Sequence, residues 1–113
     1  MPSEKSEVAD GTLLVRSEKD GDTDVIALCG ELDLANASTA EAALQGSLAA
    51  GRAVIVDMRE LEFIDSTGIA MLVASLNGDE VESRISFIPS SAPAVSRVLE
   101  LTGLAERMPL ADA

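Results

Sequence analysis

The chain has 113 residues, 47% of them apolar, which suits one compact domain with a substantial core. Its formal charge of −12 repels nucleic acid and anionic membrane surfaces and favours a basic or apolar protein partner. There is no histidine, Trp or Tyr, and Phe63 and Phe87 are the only aromatics, so the commonest general base, the commonest metal ligand and stacking platforms for bases are all missing.

Residues 1–10 are polar and carry no apolar signal core, so they are expected to form a loose N-terminal tail ahead of a domain spanning 11–110, with 111–113 a short C-terminal tail. Residues 12–16 and 25–30 read as two strands joined by the turn signal Lys19-Asp20-Gly21-Asp22, an antiparallel hairpin. The single cysteine, Cys29, lies in the second of these and cannot form an internal disulfide. An intracellular, cytoplasmic protein is therefore expected, and no apolar stretch is long enough to span a bilayer. Next, Ala37, Ala40, Leu44 and Leu48 recur at helical spacing, with Asn36 as N-cap and Gly51 as stop.

The continuous apolar run at 53–57, ended by Asp57, suits a buried central strand. A second helix is expected from Ser66 to about Asn77, where Asn77-Gly78 breaks it ahead of the acidic stretch Asp79-Glu80-Val81-Glu82. Residues 84–88 form a further strand. Ser91 caps a third helix with Pro93 in its first turn, with Val95, Val98, Leu99 and Thr102 facing inward and Gly103 at its end. Residues 106–108 could add an edge strand. Helices alternating with apolar strands predict an α/β domain: a small mixed sheet of 4–5 strands packed with 3–4 helices.

The chemistry concentrates at LEFIDSTGIA, residues 61–70. Ser66 stands where a strand-like segment ends and a helix begins, and three roles are open to it. As a helix cap, its hydroxyl would accept a backbone N–H. As a nucleophile it would need a base, yet there is no histidine, neither Lys5 nor Lys19 is close in sequence, and a G-x-S-x-G elbow would want glycines on both sides of the serine, where the chain has Gly68 on one side only. As a modification site it suits the physics better. A phosphate there would meet the positive end of a helix dipole and free N–H groups, and would add about −1.5 to −2 charge to any surface that must be buried. Gly68 costs helix propensity in a first turn and would leave the backbone open to close approach. Phosphate-cradling glycine loops are not found. Mg²⁺ held by Asp57 and Asp65 stays open, since both end apolar segments, whereas a receiver domain would need an acidic pair after its first strand and a lysine after its last, which the chain does not provide.

GELDLANAS (residues 30–38), VIVDMRELEFIDSTGIAML (54–72) and SRVLELTGLAERMPL (96–110) together resemble the STAS domains of bacterial anti-sigma factor antagonists, over nearly the whole chain. The resemblance implies a non-enzymatic regulator of transcription, often in stress responses, that works by partner switching. Unphosphorylated, it binds a partner that is both anti-sigma factor and ATPase-type serine kinase, and frees the sigma factor. Phosphorylation breaks that complex, and a metal-dependent serine phosphatase resets it. Carried onto this sequence, Ser66 is the acceptor, with Thr67 a possible second hydroxyl. Asp33 would lie near it and orient the hydroxyl or repel the phosphate, and Asp65, Thr67, Gly68 and Ile69 would frame the partner-binding site. The kinase supplies ATP and Mg²⁺, so the chain itself needs no cofactor and no metal.

Plainer roles stand beside these. Asp33 and Asp65 could each cap a turn or helix, and most of Ile69, Met71, Leu72 and Val73 could be core, with one or two forming an apolar docking face. The acidic stretch at 79–82 departs from the basic, helical continuation of many relatives and implies a different partner surface. A standalone STAS subunit of a transport or signalling assembly, without phosphorylation, is the alternative function. A monomer is the simplest expectation for a switch that presents one helix end.

Overall fold

In the computed structural model, which describes residues 5–76 and 84–111, the chain runs β1 (Lys5–Asp10), β2 (Leu13–Asp20), β3 (Thr23–Leu32), α1 (Ala37–Ala49), β4 (Ala53–Asp57) and β5 (Leu61–Ile64). It continues through α2 (Ser66–Ser75), β6 (Ile85–Ile88), α3 (Pro93–Leu101) and the one-turn α4 (Leu104–Arg107). The strands form one mixed six-stranded sheet in the order β1-β2-β3-β4-β6, with β5 paired to β3. β1, β2 and β3 are antiparallel neighbours, whereas β3–β4, β3–β5 and β4–β6 are parallel. This is the α/β architecture expected from the sequence.

Alternation along the strands decides which face is covered. Leu13, Val15, Ile26, Leu28, Val54, Val56, Ile85 and Phe87 are buried beneath the helices, joined by Ala40, Leu44, Leu72, Val95 and Leu99. Their neighbours Leu14, Val25, Ala27 and Ile55 point the other way and are only half-buried.

β3 serves two partners in turn. Residues Thr23 to Ala27 pair with β4, and after a register shift between Gly30 and Glu31 the strand pairs with β5. Gly30 makes that switch possible. Its φ is +99°, and a Cβ there would lie 2.1 Å from the Thr12 carbonyl oxygen. Its N–H donates to Glu60 O at 3.0 Å while the Glu31 N–H donates to Thr12 O at 3.1 Å, so the chain is clamped on both sides at the point of crossing.

Several boundaries differ from the sequence expectation. Residues from Lys5 onward are not a loose tail but the edge strand β1, because Val8 pairs with Val15 and the Lys5–Glu18 and Arg16–Glu7 ion pairs stitch an otherwise polar hairpin. β5 is a separate strand, drawn in by the partner switch of β3. Ser91 does not cap α3. Ala92 occupies that position, and the buried Ser90 hydroxyl accepts the Ala92 N–H and donates to Leu61 O at 2.6 Å, fastening the helix entry to β5. Thr102 is exposed, and its hydroxyl donates to Val98 O. Residues 106–108 add no strand. Gly103, in the left-handed region at φ +77°, turns the chain into α4, and the sheet bridge is made by Leu110 with Phe87. The Asn77-Gly78 break and the acidic stretch at 79–82 lie outside the described residues.

At the base of the sheet, far along β3 from Gly30, Asp24 is buried. It accepts hydrogen bonds from Ser47 Oγ at 2.5 Å and Arg52 Nε at 2.6 Å, and Arg52 also donates to Gly21 O and Thr23 O. Burial alone pushes the Asp24 carboxyl up, but the Ser47 and Arg52 hydrogen bonds outweigh it and hold the carboxyl below its ordinary value. A carboxyl with a depressed folded-state pKa contributes stability that is fully present above its unfolded value, about 3.9, and is lost as pH falls through the folded value. Asp24→Asn is therefore expected to destabilise the protein at pH 7 by about 2–4 kcal/mol, because it leaves Arg52 without its counter-charge. The gap to wild type should narrow as pH drops below about 4, measured by urea unfolding across the acid range. A gap that is constant with pH would contradict the assignment.

Candidate functional site

The site lies where β3 and β5 end side by side. Leu32 and Ile64 are the last residues of the two strands, and the Asp65 N–H donates to Leu32 O at 3.1 Å. Both chains then leave the sheet, β3 into the loop before α1 and β5 directly into α2.

The N-cap of α2 is Asp65, in extended conformation, and not Ser66. One carboxylate oxygen of Asp65 accepts the Gly68 N–H at 3.0 Å. The other accepts the Leu34 N–H at 3.1 Å, from the opposite loop. A single side chain thus satisfies an orphan donor of the helix and ties α2 to the turn that launches α1.

That turn is itself closed by side chains. Asp33 Oδ1 accepts the Ala35 N–H, and the Asp33 carbonyl accepts the Asn36 and Ala37 N–H groups. Asn36, 1% exposed, sits at the cap position of α1 but makes no cap hydrogen bond to the helix. Its side chain turns back, accepting the Asp33 N–H and donating to Glu31 O. Asp33 therefore acts as a turn-former. It follows β3 as Ser66 follows β5, but its carboxylate is engaged with Ala35, and no hydrogen bond joins it to the Ser66 hydroxyl among the described residues.

With Asp65 capping, Ser66 is the first residue of α2 and is exposed. Among the described residues, its hydroxyl makes no hydrogen bond. Thr67 is half-buried. Gly68 corrects the expectation of an open backbone: it is buried, and a Cβ would stand 2.8 Å from Ile64 Cγ1 and 2.9 Å from Leu32 Cγ. The glycine lets α2 settle onto the ends of β3 and β5, and it faces the core and not a partner. Ile69 and Val73 are half-buried against the core, while Met71 and Leu72 are buried outright. Of the four, Met71 also lines the groove described below.

Exposed apolar side chains near the strand ends come from Phe63 on β5 and from a residue that sequence reasoning passed over. Leu34 is 76% exposed at the tip of the α1 turn. The available signal was an apolar side chain in the middle of a polar turn, ELDLANAS. Leu34 stands at the mouth of a groove between α1 and α2 lined by Ala37, Ser38, Glu41, Thr67, Ala70, Met71 and Ala74.

Asp57 and Asp65, considered together for Mg²⁺, are each occupied separately. Asp57 is bound by Arg59 at 2.8 Å and 3.0 Å, and that guanidinium holds its carboxyl below the ordinary value despite partial burial. Among the described residues, no group of three or more Cys, Asp or Glu is placed to hold a metal ion, and no helix is long and apolar enough to cross a membrane.

The capping assignment separates two adjacent residues. Asp65→Ala should cost about 1–2 kcal/mol of stability and speed amide exchange at Gly68 and Leu34, whereas Ser66→Ala should stay within about 0.5 kcal/mol of wild type. Chemical unfolding with residue-resolved hydrogen exchange reads both.

The family model described as Mlab, STAS domain matches residues 15–111. Among solved structures, the chain is similar to an anti-sigma factor antagonist from Mycobacterium paratuberculosis, at 27% identity and a TM-score of 0.78, covering 93% of this chain and 90% of that one. It is also similar to the anti-sigma factor antagonist SpoIIAA in its unphosphorylated form, at 25% identity and a TM-score of 0.71, covering 87% and 88%. The Bacillus cell fate determinant SpoIIAA in its phosphorylated form shares the fold at 24% identity and a TM-score of 0.62, covering 87% and 91%. No curated protein matches the sequence.

Proposed function

The chain belongs to the STAS domain family, and on that premise we propose that it is an anti-sigma factor antagonist that switches partners through phosphorylation of Ser66. The observation that carries this reading is the division of labour at the start of α2. Asp65 does the capping, which leaves the Ser66 hydroxyl exposed and without an internal role. Likeness to two anti-sigma factor antagonists, one of them SpoIIAA in its unphosphorylated form, supports the same role.

In this reading the protein is a binding module and not an enzyme, working in the cytoplasm. The partner is an anti-sigma factor with ATPase-type serine kinase activity, which brings ATP and Mg²⁺. The Ser66 oxygen forms a bond to the γ-phosphorus, the bond from that phosphorus to the bridging oxygen of ADP breaks, and the hydroxyl proton passes to a base of the kinase. The chain contributes position: a hydroxyl on the first residue of a well-capped helix, where the N-terminal dipole stabilises the phosphate. The added charge of about −1.5 to −2 then has to be desolvated by any partner covering Ser66, and the complex comes apart. A metal-dependent serine phosphatase restores the hydroxyl.

Two baits test this in an extract of the source cell. Ser66→Ala should retain an anti-sigma factor with a kinase-type ATPase fold, and Ser66→Asp should lose it, read by mass spectrometry. Incubation of that purified factor with ATP should phosphorylate wild type and not Ser66→Ala. Equal capture by both baits would remove the switch and favour a standalone subunit of a transport or signalling assembly.

A further inference from the structure

We propose that the bare face of the sheet, opposite the helices, is a self-association surface on which a second copy of this chain packs sheet against sheet. The inference goes beyond the reading of Ser66 and does not depend on it. It replaces the monomer that a switch with one helix end made the simplest expectation.

The strands pose the problem. Parallel strands are nearly always covered on both faces, whereas antiparallel ones tolerate water on one. β3, β4 and β6 are parallel neighbours, and the described helices send their apolar residues to the core on one side of them. On the other side stand Val25, Ala27, Ile55 and Ile88, with Leu14 beside them on β2. None of the five belongs to the core cluster, and all are half-buried. Register sets them side by side, Val25 against Ile55, and Ala27 and Ile88 on either side of Asp57. An apolar strip thus lies on the part of the sheet that ordinarily carries a cover.

Shape and charge make a second copy the occupant. Val25 and Ile55 form a ridge between two troughs. One, of about 370 Å³, includes Ala27 and Asp57 toward the strand ends, and the other, of about 190 Å³, includes Thr23, Ala53 and Ser86 toward the strand starts. A two-fold axis lying in the interface between ridge and trough lays each ridge in the other copy's trough, so both copies use the same patch. The chain carries −12, and two copies repel one another in most orientations. This face is locally balanced. Glu7, Glu18, Asp57 and Glu60 each lie 2.8 to 3.8 Å from Lys5, Arg16 or Arg59 on the same face. Asp20, at the end of β2, is the one carboxylate of the larger trough outside these pairs. A partner recognised by its charge would find little to hold there, whereas an identical face meets apolar strip with apolar strip.

The size of the face sets the strength. β1, β2, β3, β4 and β6, about 4.8 Å apart and in contact over about seven residues, offer a footprint of about 500 Å² per copy. The pair buries about 1,000 Å², the lower end for a specific interface, so the dimer is weak and forms with concentration. The helices lie on the outside of the pair, and both Ser66 residues stay accessible.

The test is analytical ultracentrifugation of the full chain from about 5 to about 500 µM, the range of weak association. The mass should climb from monomer towards dimer. Ile55→Glu should raise the dissociation constant at least about tenfold, because the axis brings two new carboxylates onto the apolar strip, and Ile55→Thr, which keeps a β-branched side chain, should raise it less. Leu101→Glu, at a leucine 81% exposed on α3, should dimerise as wild type. On dilution, the methyl NMR signals of Val25 and Ile55 should shift and those of Leu101 should not. Thermal unfolding shows which variants fold, and if Ile55→Glu does not, Ile55→Thr and the methyl shifts decide. A monomer at every concentration overturns the inference. So does a dimer that Ile55→Glu leaves intact, which would place the contact on the edge strand β1 or on the helices. Ser66 enters no arm of the experiment, so either result leaves the phosphorylation reading to its own test.

Discussion

One carboxylate holds the functional end of this molecule together. Asp65 receives the Gly68 N–H with one oxygen and the Leu34 N–H with the other, joining segments 31 residues apart in sequence. Helix termini leave unpaired backbone donors, and loops that exit a sheet do the same. A side chain that meets one demand from each removes the need for two separate caps. It also fixes the relative position of the α2 terminus and the α1 turn without any contribution from Ser66. The hydroxyl is left idle by this arrangement, and that is the physical basis for assigning it an external role.

The rest of the site follows from how β3 is built. Gly30 lets the strand come within backbone contact of Thr12 and change partner, which brings β5 beside its second half. Leu32 and Ile64 then end together, and only a glycine at position 68 allows α2 to sit on both. Gly30, Leu32, Asp33, Asp65 and Gly68 form a chain of dependence: each sets the position that the next requires. The motifs GELD and DSTG are adjacent in space because they terminate neighbouring parallel strands.

Much of this was readable in the sequence. The apolar run at 53–57 became β4 with its bounds intact, and the α/β alternation gave the architecture. Alternation and helical spacing are local signals, and they survive folding. What was missed depended on pairing. β1 has a polar composition and is a strand only because β2 offers it a partner and opposite charges. β5 exists because β3 changes neighbour, which no local pattern announces. Gly68 illustrates the same limit: a glycine in a first turn signals a close approach, but the sequence does not say whether a partner or the protein's own Leu32 and Ile64 approaches. Asp65 and Ser66 were both plausible caps, and their order was decided by the extended backbone of Asp65, a feature of the strand exit.

The placement of Leu34, Ala70 and Ala74 has a consequence for how such a domain diversifies. All three are exposed, and none has a side-chain bond inside the described structure, whereas Asp65 and Gly68 are fixed by their surroundings. Exchange of the first three changes the surface at little expense in folding, since surface substitutions of this kind usually shift stability by less than about 0.5 kcal/mol. Exchange of the last two disturbs the scaffold. The outer surface over α1 and α2 is thus free to change while the capped strand ends beneath it stay the same.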